Sequence, residues 1–341
     1  MLNTCSMSPL LQLRPLKIKR WCVISVLGIF SMLCSWPQLQ AQQQLFDSNL
    51  LIDSLTKVPA TVVIEVDTMP RFTPRIYVTL LASDIKQQLT APFRVKRKDI
   101  VQLGGLALTT FALSRADQPI NRFATNLVAN NPVVGTASNF ITRFGGKYEL
   151  YTLAAIGAWS VIGKNKKLAN TTLLATQAYL AGGLLATGLK FMTGRQRPNY
   201  FNPITQRSSP VFHGPFYQFK KDVNGFRPNK GSYTAFPSGH TTVAFAAATV
   251  FAMEYRNKPL VPVLAYGAAT FIGLSRITEN KHWATDVFIG AVLGFLSGKQ
   301  VVTNYHRYFN APKTPKPASY KWKLNATYQN AHFVPGAVLT F

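Results

Sequence analysis

From residue 100 to about residue 303 the chain is a series of apolar segments, rich in Ala, Gly, Leu and Thr, separated by short polar breaks. Segments of this length and periodicity indicate α-helices rather than strands. The small residues let neighbouring helices approach closely, as in membrane bundles. We therefore predict an all-α helical bundle that is associated with a membrane. The predicted helices cover residues 100–115, 119–129, 135–144, 147–162, 169–189, 239–254, 259–274 and 284–303.

The first 41 residues are typical of an export signal. Three basic residues between positions 17 and 20 precede an apolar run from Trp21 to Cys34. This run suits the hydrophobic region of a signal peptide and is shorter than a membrane span. Ala41 offers a small residue for cleavage. We predict a signal peptide over residues 1–41, with an uncleaved anchor as the alternative, and hence an exported protein.

Two flanking regions bracket one predicted domain over residues 100–310. Residues 42–99 form a polar lead-in, in which 61–67 and 76–81 are candidate strands or extended packing segments. Residues 311–341 begin with a Pro- and Lys-rich linker and continue with an alternating apolar pattern, which indicates a surface hairpin or a tail. The predicted bundle therefore has short extended segments at both ends.

The chain is strongly basic, with 37 Lys and Arg against 12 Asp and Glu and a formal net charge of +25. This excess favours anionic partners such as phosphorylated lipids or an anionic membrane surface. The basic residues are not grouped into a recognition helix, and an exported protein rarely meets DNA, so we expect no nucleic-acid partner. All three cysteines precede residue 35. A processed chain would have no cysteine for disulfides or metal binding.

Three short motifs concentrate the residues that phosphate chemistry needs. They are Lys190 with Arg197 and Pro198, then Pro237-Ser238-Gly239-His240, then Ser275-Arg276 with His282 and Asp286. Together they supply three cations, two imidazoles and one carboxylate. That inventory can hold a phosphate, attack it and release its alcohol. Each motif alone is common, but the three in this order are specific.

The first group of candidates binds phosphate. Lys190, Arg197 and Arg276 would hold its oxygens, because arginine gives bidentate geometry and lysine gives a point charge. Ser238 is expected to cap the helix that follows it, whose first amides form an anion site. Gly239 would let the backbone come close to the phosphate.

The second group carries the reaction. His282 and Asp286 are four residues apart and so lie on one helical face. We expect the carboxylate to accept a hydrogen bond from one ring nitrogen, which fixes the tautomer and leaves the other nitrogen free to attack.

In order and spacing, the patterns K-x6-RP, PSGH and SR-x5-H-x3-D resemble those of the type-2 phosphatidic acid phosphatase and vanadium haloperoxidase superfamily. The resemblance covers roughly residues 100–303 and implies that residues 100–310 form the catalytic domain. It implies that His282 attacks phosphorus and forms a phosphohistidine, and that His240 is the general acid for the leaving alcohol. It also implies a reaction with no metal ion and no other cofactor.

The leading hypothesis is therefore a metal-independent hydrolase that acts on a phosphate ester or diphosphate of a lipid. The alternatives are a soluble periplasmic acid phosphatase of broad specificity, a vanadium-dependent haloperoxidase and a non-catalytic binder of anionic lipids. The sequence carries no signal for an oligomeric state.

The distribution of basic residues bears on location. Lysines and arginines follow the helix ends opposite to the motifs, which favours a membrane-associated enzyme with its active site on the periplasmic, or outer, face. The basic cluster at 94–98, ahead of the first core helix, and a mean hydropathy of only +0.07 keep a soluble periplasmic domain as the alternative.

Overall fold

The computed structural model describes residues 72–200, 208–220 and 231–310, together with the backbone of residues 321–329 and 332–340. The predicted signal at 1–41 and the candidate strand at 61–67 lie outside the described residues.

The described residues are mainly helical, which confirms the predicted all-α bundle. The helices are α1 (Pro74–Thr90), α2 (Arg97–Asn130), α3 (Pro132–Thr142), α4 (Lys147–Ile162), α5 (Lys166–Thr193), α6 (Gly239–Glu254), α7 (Leu260–Thr278) and α8 (Ala284–Asn310). Single 3-10 turns cover Ala91–Arg94, Arg143–Gly145 and Tyr217–Phe219. Near the C-terminus, β1 (Lys321–Gln329) and β2 (His332–Thr340) pair as an antiparallel hairpin.

The segment 76–81 is helical, not extended as the sequence pattern predicted. It lies inside α1, whose first turn is capped by Thr73: the hydroxyl accepts a hydrogen bond from the Ile76 amide at 3.3 Å. Pro74 occupies the start of the helix, where its missing N–H costs nothing. Tertiary contacts hold α1 in place, since the Gln177 side chain of α5 donates to the Tyr77 carbonyl at 2.9 Å. Six residues of mixed pattern are too few to separate a strand from a helix.

The two helices predicted at 100–115 and 119–129 form one continuous helix, α2, which runs through Pro119. A proline inside a helix removes one hydrogen bond and crowds the preceding turn. Here the neighbouring Asp117 is fully buried and bonds to the start of α8. This tertiary anchor offsets the local cost of the proline.

Helix α6 is the most buried element, and α8 packs along it through a row of glycines. Gly290, Gly294 and Gly298 each face α6 so closely that an added Cβ would strike its backbone carbonyls; at Gly290 the distance to the Ser238 oxygen would be 2.7 Å. Because α6 and α8 both begin at motif residues, this close packing fixes two parts of the site relative to each other.

Within the part of the chain that the structure describes, three helices are long and apolar enough to cross a membrane by length and composition, namely α5, α7 and α8. Large apolar side chains also remain exposed on the bundle, including Trp159 and Ile162 at 71% and 76%. Exposed apolar surface on this scale is unusual for a soluble monomer and indicates a membrane or protein contact. These features support the predicted membrane association.

Candidate active site

The first motif lies where α5 ends. Lys190 is in the last turn, and Gly194 closes the helix in the left-handed conformation, with its amide bonded to the Lys190 carbonyl at 3.2 Å. The chain then turns so that the Arg197 amide donates to the Ser232 carbonyl at 2.8 Å. The Arg197 guanidinium donates to the Thr234 hydroxyl at 3.1 Å.

The second motif lies at the start of α6 and meets the other two. The Ser238 amide donates to the Asp286 carbonyl at 3.0 Å. The predicted side-chain cap is not formed, because the Ser238 hydroxyl is 2.8 Å from that of Thr241 and pairs with it instead. Gly239 lies against Lys190, since a Cβ there would be 3.0 Å from the lysine Nζ. The ammonium thus reaches the helix N-terminus, as an anion site requires.

His240 packs against a glycine pair that the sequence reasoning did not single out. A Cβ on Gly146 would lie 3.1 Å from His240 Nε2, and one on Gly145 would lie 3.1 Å from the histidine Cβ and strike Ile272. His240 is also within electrostatic reach of Arg276. The adjacent glycines were visible in the sequence, but only the fold shows that they make room for this imidazole.

Arg276 lies in the last turn of α7 and is already engaged with an acid. Its Nη1 donates to Glu279 Oε2 at 2.6 Å and also to the Thr142 hydroxyl, while its Nε has no hydrogen-bond partner among the described residues. Glu279 was not a predicted site residue, although its position three residues after the arginine on a helix could have signalled the pair. A bound phosphate would compete with this carboxylate.

His282 is buried, and its tautomer is set by a backbone group. Nδ1 lies 2.6 Å from the Ala235 carbonyl oxygen but 3.7 Å from Asp286 Oδ2. The predicted hydrogen bond from His282 to Asp286 is therefore not formed. A carbonyl can only accept, so Nδ1 carries the proton and Nε2 is left as the unprotonated nitrogen.

Asp286 is instead bonded to its own helix start and to an arginine. Its Oδ2 accepts from the Trp283 amide at 2.8 Å, and its Oδ1 accepts from Arg195. This arrangement holds the carboxylate close to His282 without a direct hydrogen bond between them.

Arg195 and Asp117 are buried functional candidates that the sequence reasoning missed. Arg195 Nη2 donates to Asp117 Oδ2 at 2.6 Å, and Nη1 donates to the Thr285 hydroxyl at 2.6 Å and to Asp286. Asp117 also accepts from the Thr285 amide at 2.9 Å. We call these residues the Arg195 network: Asp117, Arg195, Thr285 and Asp286. It joins α2, the loop after α5 and the start of α8 behind His282.

One signal for this network was present in the sequence. Arg195 lies inside the first motif, between its two predicted cations. Asp117 offered none, because its contact with Thr285 spans 168 positions.

The electrostatics of His282 show that the three predicted phosphate-binding cations converge on it. Burial is the largest influence and lowers the pKa of His282 well below its usual value; Arg197, Lys190 and Arg276 lower it further, and the Ala235 carbonyl opposes them. The imidazole is therefore neutral at physiological pH. Neutrality is what a nitrogen nucleophile needs.

The structure brings all the predicted site residues to one end of the bundle. They come from the C-terminal ends of α5 and α7 and the N-terminal ends of α6 and α8 with the adjoining loops. The residues are Lys190, Arg197, Ser238, Gly239, His240, Arg276, His282 and Asp286.

Comparison with known proteins shows a family match and several relatives. Residues 171–310 match the sequence model of the PAP2 superfamily, which confirms the resemblance that the three motifs predict. A lipid A 1-phosphatase from Porphyromonas gingivalis is 47% identical over 81 residues, which are 24% of this chain and 18% of that protein. A probable lipid phosphate phosphatase 4 from Arabidopsis thaliana is 33% identical over 133 residues, which are 34% of this chain and 41% of that protein.

The chain thus spans less than half the length of these two relatives. Among solved structures, the first transmembrane PAP2 type phosphatidylglycerolphosphate phosphatase from Bacillus subtilis aligns with 69% of this chain and 98% of its own. The sequence identity is 20% and the TM-score is 0.40.

Proposed function

With the PAP2-superfamily match over residues 171–310 as the premise, we propose that this protein hydrolyses a phosphate ester or diphosphate of a lipid through a phosphohistidine intermediate, without a metal ion. The observation that carries the proposal is the state of His282. Its Nδ1 is hydrogen-bonded to a backbone carbonyl, and three cations interact electrostatically with its buried ring.

In the first step His282 Nε2 attacks phosphorus. A new N–P bond forms as the P–O bond to the lipid alcohol breaks. In the free protein, burial and then the charge of Arg276 lower the pKa of His240, whereas the negative charge of a bound phosphate raises it. The protonated His240 donates to the leaving oxygen, so the lipid alcohol departs neutral. The products of this step are the free alcohol and a phosphohistidine.

In the second step water attacks the phosphohistidine. His240, now unprotonated, takes a proton from the water as the N–P bond breaks. Inorganic phosphate leaves, and His282 returns to the neutral state in which it began. His240 regains the proton that the next leaving alcohol requires.

The cations act on the phosphoryl oxygens in both steps. Lys190, Arg197 and Arg276 stabilise the charge that the oxygens carry in the transition state, together with the Ser238 hydroxyl and the Gly239 amide. Removal of one such donor commonly costs about 10² to 10³ in rate. The ion pair of Arg276 with an acid makes that arginine the cation that must change partner when phosphate binds.

Asp286 stabilises the charged form of His282 through space. The ring becomes cationic when Nε2 bonds to phosphorus, because Nδ1 keeps its proton. A carboxylate 3.7 Å from Nδ1 favours that cation. The aspartate therefore assists the intermediate by its charge, while the Ala235 carbonyl orients the ring.

A lipid is the proposed substrate because the site lies at the end of an apolar bundle. Three of its described helices are long and apolar enough to cross a membrane, and the strong positive charge favours an amphiphilic anion. The names of two relatives, a lipid A 1-phosphatase and a probable lipid phosphate phosphatase, refer to the same class of substrate.

We place the site on the outer face of the membrane. Lys167, which follows the α4–α5 turn, lies 4.8 Å from the ring centroid of Tyr255, and Lys258 of the α6–α7 turn lies 5.9 Å from it. Basic residues therefore gather at the bundle end opposite the motifs. Cytoplasmic loops carry such an excess of lysine and arginine, so the motif end would face outward.

The test is phosphate release by the purified protein from a panel of lipid phosphates, lipid diphosphates and one water-soluble ester. His282→Ala is measured beside it, with His306→Ala as the matched control. His306 lies at the far end of α8 and bonds to Glu254 at 2.8 Å. We expect release from a lipid substrate that His282→Ala abolishes and His306→Ala leaves unchanged.

Acid-stable and acid-labile phosphoprotein are then separated after a rapid quench with labelled substrate. The proposal requires an acid-labile, base-stable label that is absent from His282→Ala. Release unaffected by His282→Ala would refute the catalytic assignment, and better release from the soluble ester than from any lipid would refute the substrate class.

A further inference from the structure

An apolar cleft beside the site contains a single acidic group. The cleft has a volume of about 400 Å³ and lies between α3, α4, α6 and α7. Its lining is almost entirely aliphatic and aromatic, and includes Ile141, Leu153, Ala244, Ala248, Ala269 and Ile272. Among the lining residues that the structure describes, Glu149 from the first turn of α4 is the one ionisable side chain.

Glu149 is buried without any hydrogen-bond partner. Its exposure is 7%, and neither carboxyl oxygen has a partner among the described residues. An ionised carboxylate in an apolar, unpaired position is strongly unfavourable, so the group is a neutral acid. A neutral carboxylic acid has an O–H donor as well as acceptor capacity. Both are unused here, although buried polar groups are normally bonded.

The cleft lies along the faces of α6 and α7 that carry two site residues, His240 and Arg276. On α6, Ala244 and Ala248 follow His240 by four and eight residues, so the three share one face of the helix. Eight residues of helix extend roughly 12 Å. On α7, Ile272 precedes Arg276 by four residues and also contacts Gly145 beside His240.

The position of the cleft beside His240 and Arg276 limits what can occupy it. A phosphate held at the helix ends has its alcohol directed away from the attacking His282, toward the general acid His240. The groups that follow the alcohol oxygen therefore enter the space between α6 and α7. The lining there fits a hydrocarbon chain, and Glu149 lies in the first turn of α4, directly after the glycine pair that contacts His240.

We propose that the cleft holds an acyl chain of the substrate and that Glu149 donates a hydrogen bond to an oxygen of the chain's ester or hydroxyl group. The inference rests on the proposed function and specifies its substrate class. The substrate is an acylated phosphate whose chain carries an oxygen a few bonds from the phosphoryl group, rather than a simple alkyl or polyprenyl phosphate.

The first test compares ester-linked and ether-linked phosphatidates of equal chain length with Glu149→Leu and Glu149→Gln. Leucine removes the donor, whereas glutamine keeps an N–H donor. We expect Glu149→Leu to raise KM for the ester about tenfold, as for loss of one hydrogen bond. Glu149→Gln stays within about threefold of the wild type.

Three results would overturn the role of Glu149. One is an equal loss on the ether-linked lipid, and another is an equal loss on a water-soluble phosphate ester. The third is a Glu149→Gln variant as impaired as Glu149→Leu. The water-soluble ester has no chain, so its kcat/KM should not change in either variant.

The second test fills the cleft from its exposed rim. Ala268 lines the cleft and is exposed, so Ala268→Phe narrows it without disturbing the core. Ala154→Phe, on an exposed position of α4 outside the lining, is the matched control. We expect Ala268→Phe to raise KM several-fold for a long-chain lipid and to leave a short-chain lipid unchanged. Equal responses of the two lipids, or of the two variants, would overturn the assignment of the cleft.

These outcomes separate the two proposals. A wild-type protein that releases no phosphate from any substrate would refute the proposed function. A wild-type protein that is active but indifferent to chain length, linkage and the two substitutions would refute the cleft alone.

Discussion

Asp286 and Glu149 are both buried carboxyl groups beside the proposed site, yet their surroundings are opposite. Both oxygens of Asp286 are bonded, one to Arg195 and one to the Trp283 amide. Neither oxygen of Glu149 has a partner among the described residues. The first region is built to keep a charge in one place, and the second leaves a polar group available to a ligand.

The Arg195 network explains how a bundle of separate helices can hold a nucleophile in position. A buried ion pair is often no more stable than packed apolar groups of the same size. Its value here is positional: Arg195 fixes Asp286, and Asp117 ties both to α2. We therefore interpret the network as a group that positions His282. The intact network adds little net stability, although removal of one partner is costly.

The largest effect is expected from Arg195→Met. The substitution leaves Asp117 and Asp286 buried without their cation, which should lower the free energy of unfolding by about 3 to 5 kcal/mol. Thermal unfolding of the detergent-solubilised protein measures it. Arg197→Met is the matched control, because Arg197 has no carboxylate partner among the described contacts. Equal losses of Tm in the two variants would show that the paired carboxylates of Arg195 do not account for the destabilisation.

A smaller effect is expected from Asp117→Asn, which keeps the shape and removes the charge. The carboxylate accepts from Arg195 and the Thr285 hydroxyl at Oδ2 and from the Thr285 amide at Oδ1. An amide has only one accepting oxygen and cannot replace both, so we expect a loss of about 1 to 3 kcal/mol. Activity should fall mainly in kcat, because His282 loses its fixed surroundings while the phosphate-binding cations remain. A change confined to KM would argue against a positioning role.

The pH dependence tests the environment that this network and the cations give His282. Its pKa is lowered, so the neutral nucleophile persists in mild acid and is lost only as the pH falls through that lowered pKa. An imidazole of ordinary pKa would be about nine-tenths protonated one unit below 6.5. We expect kcat at pH 5.5 to remain above half its value at pH 7. A tenfold fall over that interval would contradict the burial of His282.

Gly239→Ala tests the position of the Lys190 ammonium without a change to Asp286 or Glu149. The new methyl would lie 3.0 Å from Lys190 Nζ, the far end of a flexible side chain. We therefore expect a fall in kcat/KM of about tenfold, less than for removal of a donor, with Tm unchanged. Gly188→Ala in α5, where nothing lies within 4 Å of the added Cβ, is the control. An equal loss in both variants would exclude the contact with Lys190 as the cause.

The smallest effect is expected from Glu149→Gln, the amide counterpart of Asp117→Asn. No hydrogen bond is lost, because the carboxyl group makes none among the described residues. The free energy of unfolding should stay within about 0.5 kcal/mol of the wild type. Destabilisation as large as that of Asp117→Asn would contradict the conclusion that Glu149, unlike Asp117, makes no stabilising hydrogen bond.

The sequence predicted the helices best where glycine or polar residues stand at both ends of an apolar run. Helices α4 and α6 begin and end where expected, at 147–162 and 239–254. The break expected near Pro119 was wrong, because a buried contact of Asp117 outweighs the local preference.

The members of the site were predictable, but one of its central contacts was not. The motif residues converge because they lie at C-terminal ends of α5 and α7 and at N-terminal ends of α6 and α8, which meet at one end of the bundle. The partner of His282 could not be read from side chains, because it is the backbone carbonyl of Ala235. Glu149 also carried no signal, since only the fold shows that an acid in the first turn of α4 enters an apolar cleft.

The bond from the Ser238 amide to the Asp286 carbonyl joins the starts of α6 and α8 through main-chain atoms alone. Replacement of either side chain leaves it intact, so an alanine scan of this site would assign it no weight. Only a change to the peptide group itself, such as proline or a backbone ester at position 238, would reveal it. Mutational maps of this protein will therefore understate how much of its active site is made of backbone.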